Sequence, residues 1–350
     1  MSMLATAIQV GERLPLPDFV TRAAITRLVG STRAKLAAAD AEAERRFAEA
    51  MVEFPIAEQV EAANRQHYEV PAAFFGLVLG PRRKYSCCLY PRGDETLAEA
   101  EAAALAETAA HAGLVDGQRI LELGCGWGSL TLWLAEQLPN ARITSVSNSH
   151  SQRTFILAEA KARDLRNVEV VTCDMNDFAP TGRFDRIVSV EMFEHMSSWR
   201  RLLERARCWL ELDGRLFIHV FAHRRTPYRF DRADPTDWIA QHFFTGGIMP
   251  SHQLIRNFPD LFEVEAEWRW NGRHYARTAE QWLANLDAEL PAVQTVLAQT
   301  YGGEAGLWQR RWRLFFLATA GLFGHAGGDE WGVSHYLLRP ARATAGAKPG

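Results

Sequence analysis

The chain has 350 residues, 47% hydrophobic and 23% charged, enough apolar material for one large or two modest globular domains. Lysine and arginine number 39 against 42 acids, a net charge of −3, which removes the electrostatic basis for nucleic-acid binding. Five cysteines without zinc-ligand spacing argue against a disulfide scaffold or a metal site. The lack of a bilayer-length apolar run or a signal-peptide core predicts a cytoplasmic protein with reduced thiols and no stable membrane insertion.

Residues 1–75 read as a helical cap. Asp18 to Val29 and Ala37 to Val52 carry apolar residues at helical spacing. Acids interleaved with arginine favour a solvated cap packed on the main domain over an amphipathic element lying on a membrane. Pro71, Gly76 and Pro81 then break the chain into short pieces around Tyr68, Phe74, Phe75, Tyr85, Ser86, Cys87 and Cys88. This aromatic loop either covers a cofactor, with Tyr85 and Ser86 against it, or packs the cap. Thr96 to His111 is a strong Ala/Glu/Leu helix.

Arg119 to Leu123 is a short apolar strand that stops at Gly124, Gly126 and Gly128. A helix follows from Leu130, then a second strand from Ala141 to Ser147. Strand, glycine turn, helix and strand predict a parallel sheet with a nucleotide-type ligand at the turn. The spacing G-x-G-x-G differs from the dinucleotide pattern, and Glu122 immediately precedes it. A carboxylate is a poor neighbour for a pyrophosphate and a good one for the ammonium or sulfonium of S-adenosyl-L-methionine. Side chains at Gly124 or Gly126 are expected to occupy the ligand's space.

Further strands are predicted at Val168–Thr172, Asp185–Val190, Arg215–Phe221, Leu261–Trp270 and Ser334–Arg339. A helix at Leu202–Leu212 is closed by Asp213-Gly214. The main domain spans 76–340, with insertions at 222–260 and 271–333; the second carries helices Thr278–Gln299 and Leu307–Phe323. Residues 341–350 read as a flexible tail.

Ligands of open α/β sheets bind outside the carboxyl ends of the strands. Asn148 and Gln152 follow the second strand as cofactor-binding amides. Asp174 and Met175 follow the third, placed to hold an adenine, although Asp174 serves equally well as a turn cap. Glu191, Glu194 and His195 follow the fourth. If that segment is helical, their spacing puts all three on one face, and flanking Val190, Met192, Phe193 and Met196 imply burial. The blander alternative is a solvated helix start with acids favoured by the dipole.

The chain resembles the coclaurine N-methyltransferase group within the cyclopropane-fatty-acyl-phospholipid synthase superfamily. The resemblance rests on YEVP, KYSCCLY, LELGCGWGSLTLWLA, SVEMFEHM, HFFTGGIMPS, NGRHYARTAEQWL and DEWGVSHYL, and it runs from Tyr68 to Leu338. It implies a class I methyltransferase (Rossmann-like) α/β fold: seven mostly parallel strands, helices on both faces, a helical N-terminal cap and helical insertions. It also implies that Glu194 and His195 act on a substrate amine, with Glu191 as an electrostatic helper and Phe243, Phe244, Trp331 and Tyr336 as aromatic walls. In the synthases of the superfamily a Cys, a Glu, a His and a Tyr hold a bicarbonate; the matching positions are Cys87, Glu194, His219 and Tyr275. Glu191 departs from the synthase pattern, and an extra carboxylate suits a cationic amine better than a bicarbonate. The expected activity is N-methylation of a small aromatic or heterocyclic amine. The alternatives are lipid cyclopropanation or methylation, and cofactor binding without turnover. Oligomeric state is left open, a homodimer included.

Overall fold

The computed structural model describes residues 11–14, 16–40, 42–58 and 70–342. The predicted tail from 343 onward, Tyr68 and part of the predicted cap lie outside the described residues.

Seven strands form one sheet: β1 (Arg119–Leu123), β2 (Arg142–Ser147), β3 (Val168–Thr172), β4 (Phe184–Val190), β5 (Leu210–His223), β8 (Phe262–Asn271) and β9 (Trp331–Pro340). Their order is β3-β2-β1-β4-β5-β9-β8. The first five are parallel, and β9 runs antiparallel to both β5 and β8. Residues 222–260 add a small hairpin, β6 (Tyr228–Arg229) with β7 (Ile248–Met249). The strand order reverses between β1 and β4, so the ligand crevice of such a sheet opens at their carboxyl ends.

Alternate residues of each strand feed opposite faces. Ile120, Val188 and Phe217 pack with α4 (Leu97–Ala112) and α5 (Ser129–Gln137). Leu121, Ile187, Leu216 and Tyr336 pack with α7 (Trp199–Trp209) on the other side. Helix α4 starts and stops on local signals. Thr96 and Glu99 make a reciprocal capping box, and Gly113 closes the helix in the left-handed region at φ 61°.

Two predicted boundaries move for identifiable reasons. The stretch predicted as one helix over Thr278–Gln299 is two, α9 (Arg273–Ala288) and α10 (Leu290–Tyr301). Pro291 lacks an N–H and clashes with the preceding turn, so it opens a new helix. Asp213-Gly214 is not a helix stop. Helix α7 ends at Trp209 and β5 begins at Leu210; the register slips between Phe184 and Arg186 opposite it, and Asp213-Gly214 sits in that irregularity.

The insertion helices α9, α10 and α11 (Ala305–Gly324) build a second apolar cluster with α3 (Ala72–Val78) above the sheet's carboxyl edge. Near the N-terminus, α1 (Asp18–Ala37) lies on α11 through Ile25 and Val29, and the pairs Arg22–Glu280, Arg33–Glu330 and Asp18–Arg313 border it. It ends at Ala37, and α2 (Ala43–Ala50) starts six residues later than the second predicted helix.

Candidate active site

One cavity spans the switch point and receives both the glycine turn after β1 and the EMFEHM turn after β4. On the β1 side Gly124 and Gly126 have φ of +78° and +51°. Their lack of side chains serves two purposes. A Cβ on Gly126 would meet nothing within 4 Å and would point into open space. A Cβ on Gly124 would lie 2.6 Å from Met192, so the missing side chain there makes room for Met192, while Gly124 itself borders the cavity. Glu122 lies buried beneath the turn. Its Oε2 accepts hydrogen bonds from Thr131 (2.5 Å) and Ser145 (3.1 Å). Burial pushes its carboxyl up to about 7 against those hydroxyls.

Further round the cavity are Asn148, Gln152, Asp174, Met175, Tyr85 and Ser86. Gln152 is held by Ser147, whose hydroxyl donates to its Oε1 at 2.6 Å. Asp174 does cap a turn, its Oδ1 accepting from the backbone N–H of Asn176 at 2.8 Å, and it still borders the cavity. Ser86 accepts from the ammonium of Lys84, which also donates to the Cys87 carbonyl. Lys84 is buried and was not singled out from sequence. Its signal lay in the KYSCC motif, where a lysine among buried aromatics and cysteines needs an anionic counterpart nearby.

Two buried carboxyls feel its charge, Glu101 and Glu191. The turn after β4 is not the helical face expected from spacing. Glu191 donates its N–H to the His219 carbonyl, continuing the β4–β5 ladder, and then adopts φ +48°. Only a single 3₁₀ turn, Phe193–His195, follows. A non-glycine residue in the left-handed region costs on the order of 1–3 kcal/mol, and such strain gathers at functional sites. Here it turns the Glu191 carboxyl back into the sheet. Oε1 accepts from the Cys87 N–H at 2.9 Å and faces His219 Nε2 at 3.2 Å, and Oε2 accepts from the Tyr275 hydroxyl at 2.6 Å. Burial raises this carboxyl, opposed by Lys84 and Tyr275.

Glu194 stands apart from that set. It is fully buried, and neither carboxyl oxygen has a hydrogen-bond partner of ordinary geometry, although the backbone N–H groups of Phe221 and Glu194 itself lie close enough to favour its charge. Burial, followed by the nearness of Glu191, holds it well above the usual carboxylate range. His195 stacks flat on Phe244, ring centres 4.9 Å apart. Phe221, Phe244, Trp282 and Phe315 complete the wall together with Tyr275.

Three predicted wall residues lie elsewhere. Phe243 is buried against Phe315, Trp312 and Trp238. Trp331 packs on His223 and His325. Tyr336 points to the opposite face of the sheet, where its hydroxyl donates to the His252 carbonyl. For two of them the neighbour faces the other way: Phe244 takes the place expected of Phe243, and His335, next to Tyr336, points toward the site's own face; Trp331 shares the face of His335 but lies farther along β9, opposite His223. Cys87 and His219 stand behind Glu191 and do not line the cavity.

A buried acid under a glycine turn, open space at Gly126 and a bonded amide at the next strand end suit a ligand that carries positive charge and no pyrophosphate. Together with the sheet order and the antiparallel β9, they define an S-adenosylmethionine-dependent methyltransferase of class I. Residues 57–326 match the family described as mycolic acid cyclopropane synthetase, and the chain belongs to that family. Within it, (S)-coclaurine N-methyltransferase of Thalictrum flavum subsp. glaucum is 37% identical over 289 residues, 81% of this chain and 80% of the relative. The crystal structure of a coclaurine N-methyltransferase bound to N-methylheliamine and S-adenosylhomocysteine superposes with a TM-score of 0.91 at 32% identity, covering 96% of this chain and 98% of that one. The cyclopropane-fatty-acyl-phospholipid synthase of Escherichia coli is 26% identical over 74% of this chain and 63% of the relative. Among the described residues no helix is long and apolar enough to cross a membrane, and no cluster of His, Cys, Asp and Glu could hold a metal ion.

Proposed function

We propose that the protein transfers the methyl group of S-adenosylmethionine to the nitrogen of a small aromatic or heterocyclic amine of the tetrahydroisoquinoline type. The observation that carries this reading is Glu194: a fully buried carboxyl without a side-chain donor, beside a second carboxyl and an aromatic wall. Such a group is costly until a cation satisfies it.

The cofactor supplies a methyl group activated on a sulfonium. Glu122, Gly126, Asn148, Gln152, Asp174 and Met175 would hold it. An alkyl amine has a pKa of about 10 and arrives protonated, with no lone pair to attack. Phe244 and Phe221 receive its apolar body and, by cation–π contact, its charge. The arriving cation draws Glu194 into its ionised form. Glu194, with His195 beside it, then takes the ammonium proton and orients the freed lone pair. Glu191 contributes negative potential from a position fixed by Cys87, Tyr275 and His219.

The same geometry weakens the lipid alternative. Of the four groups that the resemblance links to a bicarbonate, Cys87, His219 and Tyr275 here hold the carboxyl of Glu191, and Glu194 does not join them. The test is a screen with isotope-labelled methyl donor against tetrahydroisoquinolines, simple alkylamines and vesicles of unsaturated phospholipid. Label is expected in the tetrahydroisoquinolines. Label confined to the lipid would overturn the amine assignment.

A further inference from the structure

A row of imidazoles crosses the sheet behind Glu191. His219 on β5 and His335 on β9 are register partners, and both are fully buried. His335 Nε2 lies 2.8 Å from His219 Nδ1. On its other side, His335 Nδ1 lies 2.8 Å from His111 Nδ1 on α4. His111 Nε2 lies 3.1 Å from Oε1 of Glu107, one turn earlier on α4, whose side chain is 43% exposed. At the inner end His219 Nε2 faces Glu191 Oε1. The sequence Glu191, His219, His335, His111, Glu107 therefore runs without a gap from the cavity wall to solvent. Trp268 stacked on His111 and Trp270 against His335 hold the rings in line.

Counting hydrogens gives this row a property that a single buried histidine lacks. Four links need four hydrogens, and three neutral imidazoles carry three. One more proton must sit on a carboxyl end or make an imidazolium. Burial works strongly against an imidazolium at His219 and His335, and Lys84 adds to this. Burial favours the protonated form of Glu191. Burial also disfavours an imidazolium at His111, so the geometry and these directions together favour Glu191 as the holder of the fourth hydrogen while the cavity holds no cation. The other ionisable groups facing the row are Lys84 and Cys87 from the loop before α4, Tyr275 from α9 and Glu194 from the turn after β4. Lys84 eases ionisation of Glu191, and a charged Glu194 opposes it.

We propose that His219, His335 and His111 form a proton conduit through the back wall of the site: Glu191 gives its proton to solvent through them when a cationic amine fills the front, and recovers it when the cation leaves. The inference rests on the amine reading above. Each hydrogen moves one link. The Glu191 O–H bond breaks as His219 gains Nε2–H. The Nδ1–H of His219 passes to His335 Nε2, and the Nδ1–H of His335 passes to His111 Nδ1. The Nε2–H of His111 goes to Glu107 and then to water. One proton leaves, Glu191 becomes an anion beside the cation, and the return of the cation-free state reverses every step. His111, His335 and Glu107 act through Glu191, so they are positioning and relay residues.

The test uses the full chain saturated with S-adenosylhomocysteine and, as probe, N,N-dimethyl-1,2,3,4-tetrahydroisoquinolinium. This quaternary cation has no proton to lose, so any proton released on mixing comes from the protein. In weak buffer with a pH indicator, the wild type should release up to two protons per cation bound in step with binding, one directly from Glu194 and one from Glu191 through the row, and the second is the one the variants report. His335→Phe should bind the cation while its proton release slows by roughly tenfold or more. His111→Gly should slow likewise, with added imidazole restoring the fast release. Retained affinity for S-adenosylhomocysteine reports folding, and if His335→Phe does not fold, the His111→Gly rescue decides. Proton release as fast in the folded variants as in the wild type, or none from a wild type that binds the cation, overturns the conduit and leaves the amine reading standing. Failure of the wild type to bind the cation overturns both.

Discussion

The two sides of the crevice treat a buried acid in opposite ways. On the cofactor side Glu122 has two hydroxyl partners, both from elements adjacent in the chain, Thr131 on α5 and Ser145 on β2. On the substrate side Glu191 draws donors from three distant segments, the loop at Cys87, β5 and α9, and Glu194 has no side-chain donor. The first side is a local motif that serves one ligand. The second is a long-range assembly whose charge is completed only by what binds there. Chemistry is concentrated where a buried carboxyl lacks side-chain donors, at the place where the acceptor's proton must move.

The sharpest way to break this contrast is to neutralise the unsatisfied acid. Glu194→Gln, and separately His195→Ala, should lower turnover of amines by roughly 10² to 10⁴, with affinity for S-adenosylhomocysteine nearly unchanged. The pH dependence has a definite sign. Glu194 is held neutral by burial, and its function requires the anion, so wild-type rates should rise with pH. In Glu194→Gln the rate should climb with the fraction of free amine, about tenfold per unit until the amine's own pKa of about 10. Variants that methylate amines at wild-type rates would make both residues structural.

Disturbing the cofactor side should change binding instead of chemistry. Gly126→Val adds a β-branched side chain at φ +51° and directs it into the cavity. Affinity for S-adenosylhomocysteine should fall by about 100-fold or more, about 2.7 kcal/mol, with circular dichroism unchanged. Unchanged affinity by calorimetry would remove the glycine turn from the cofactor site. A smaller effect is expected at Glu122. With its carboxyl near 7, ionisation of the cofactor-free protein costs stability as pH rises from the unfolded value of about 4.5 through 7. A cationic ligand prefers the ionised form, so affinity should rise about tenfold between pH 6 and pH 8 relative to Glu122→Gln, in which the ligand's own titration cancels. Identical pH profiles for the two proteins would refute the role of Glu122.

The same contrast explains what was legible in the sequence. The first four parallel strands, the glycine turn, Glu122 and the start of α4 at Thr96 depend on neighbours within a few residues or on period-2 patterning, and they were readable within a residue or two; β5 begins at Leu210 and not at the predicted Arg215, in the irregularity opposite Phe184. The residues Glu191, Glu194 and His195 were readable, but their shared helical face was not real, because one left-handed residue redirects the first carboxyl. The histidine row was invisible. Nothing in His111 or His335 alone distinguishes a relay from a packed core residue; only the register of β5 against β9 and the docking of α4 bring them to 2.8 Å. Phe243 and Tyr336 failed by parity, because in a strand or tight turn a single step changes the face, whereas Trp331 has the right face and lies too far along β9 to reach the cavity.

That parity argument yields the smallest and most discriminating prediction. Tyr336 was expected at the substrate, and the structure puts its hydroxyl on the His252 carbonyl across the sheet. Tyr336→Phe removes one buried hydrogen bond and leaves that carbonyl short of a donor, a loss of about 1 kcal/mol in unfolding free energy. The ring stays, so packing in the α7-side cluster is preserved. If Tyr336 only supports the fold, kcat and KM for amine should stay within about twofold of wild type while the thermal midpoint falls by about one to two degrees. A rise in KM without loss of stability would return Tyr336 to the substrate pocket and would mean that the occupied enzyme adopts a different register at β9. In that register His335 could not meet His219, so this one conservative substitution also tests the frame on which the histidine row depends.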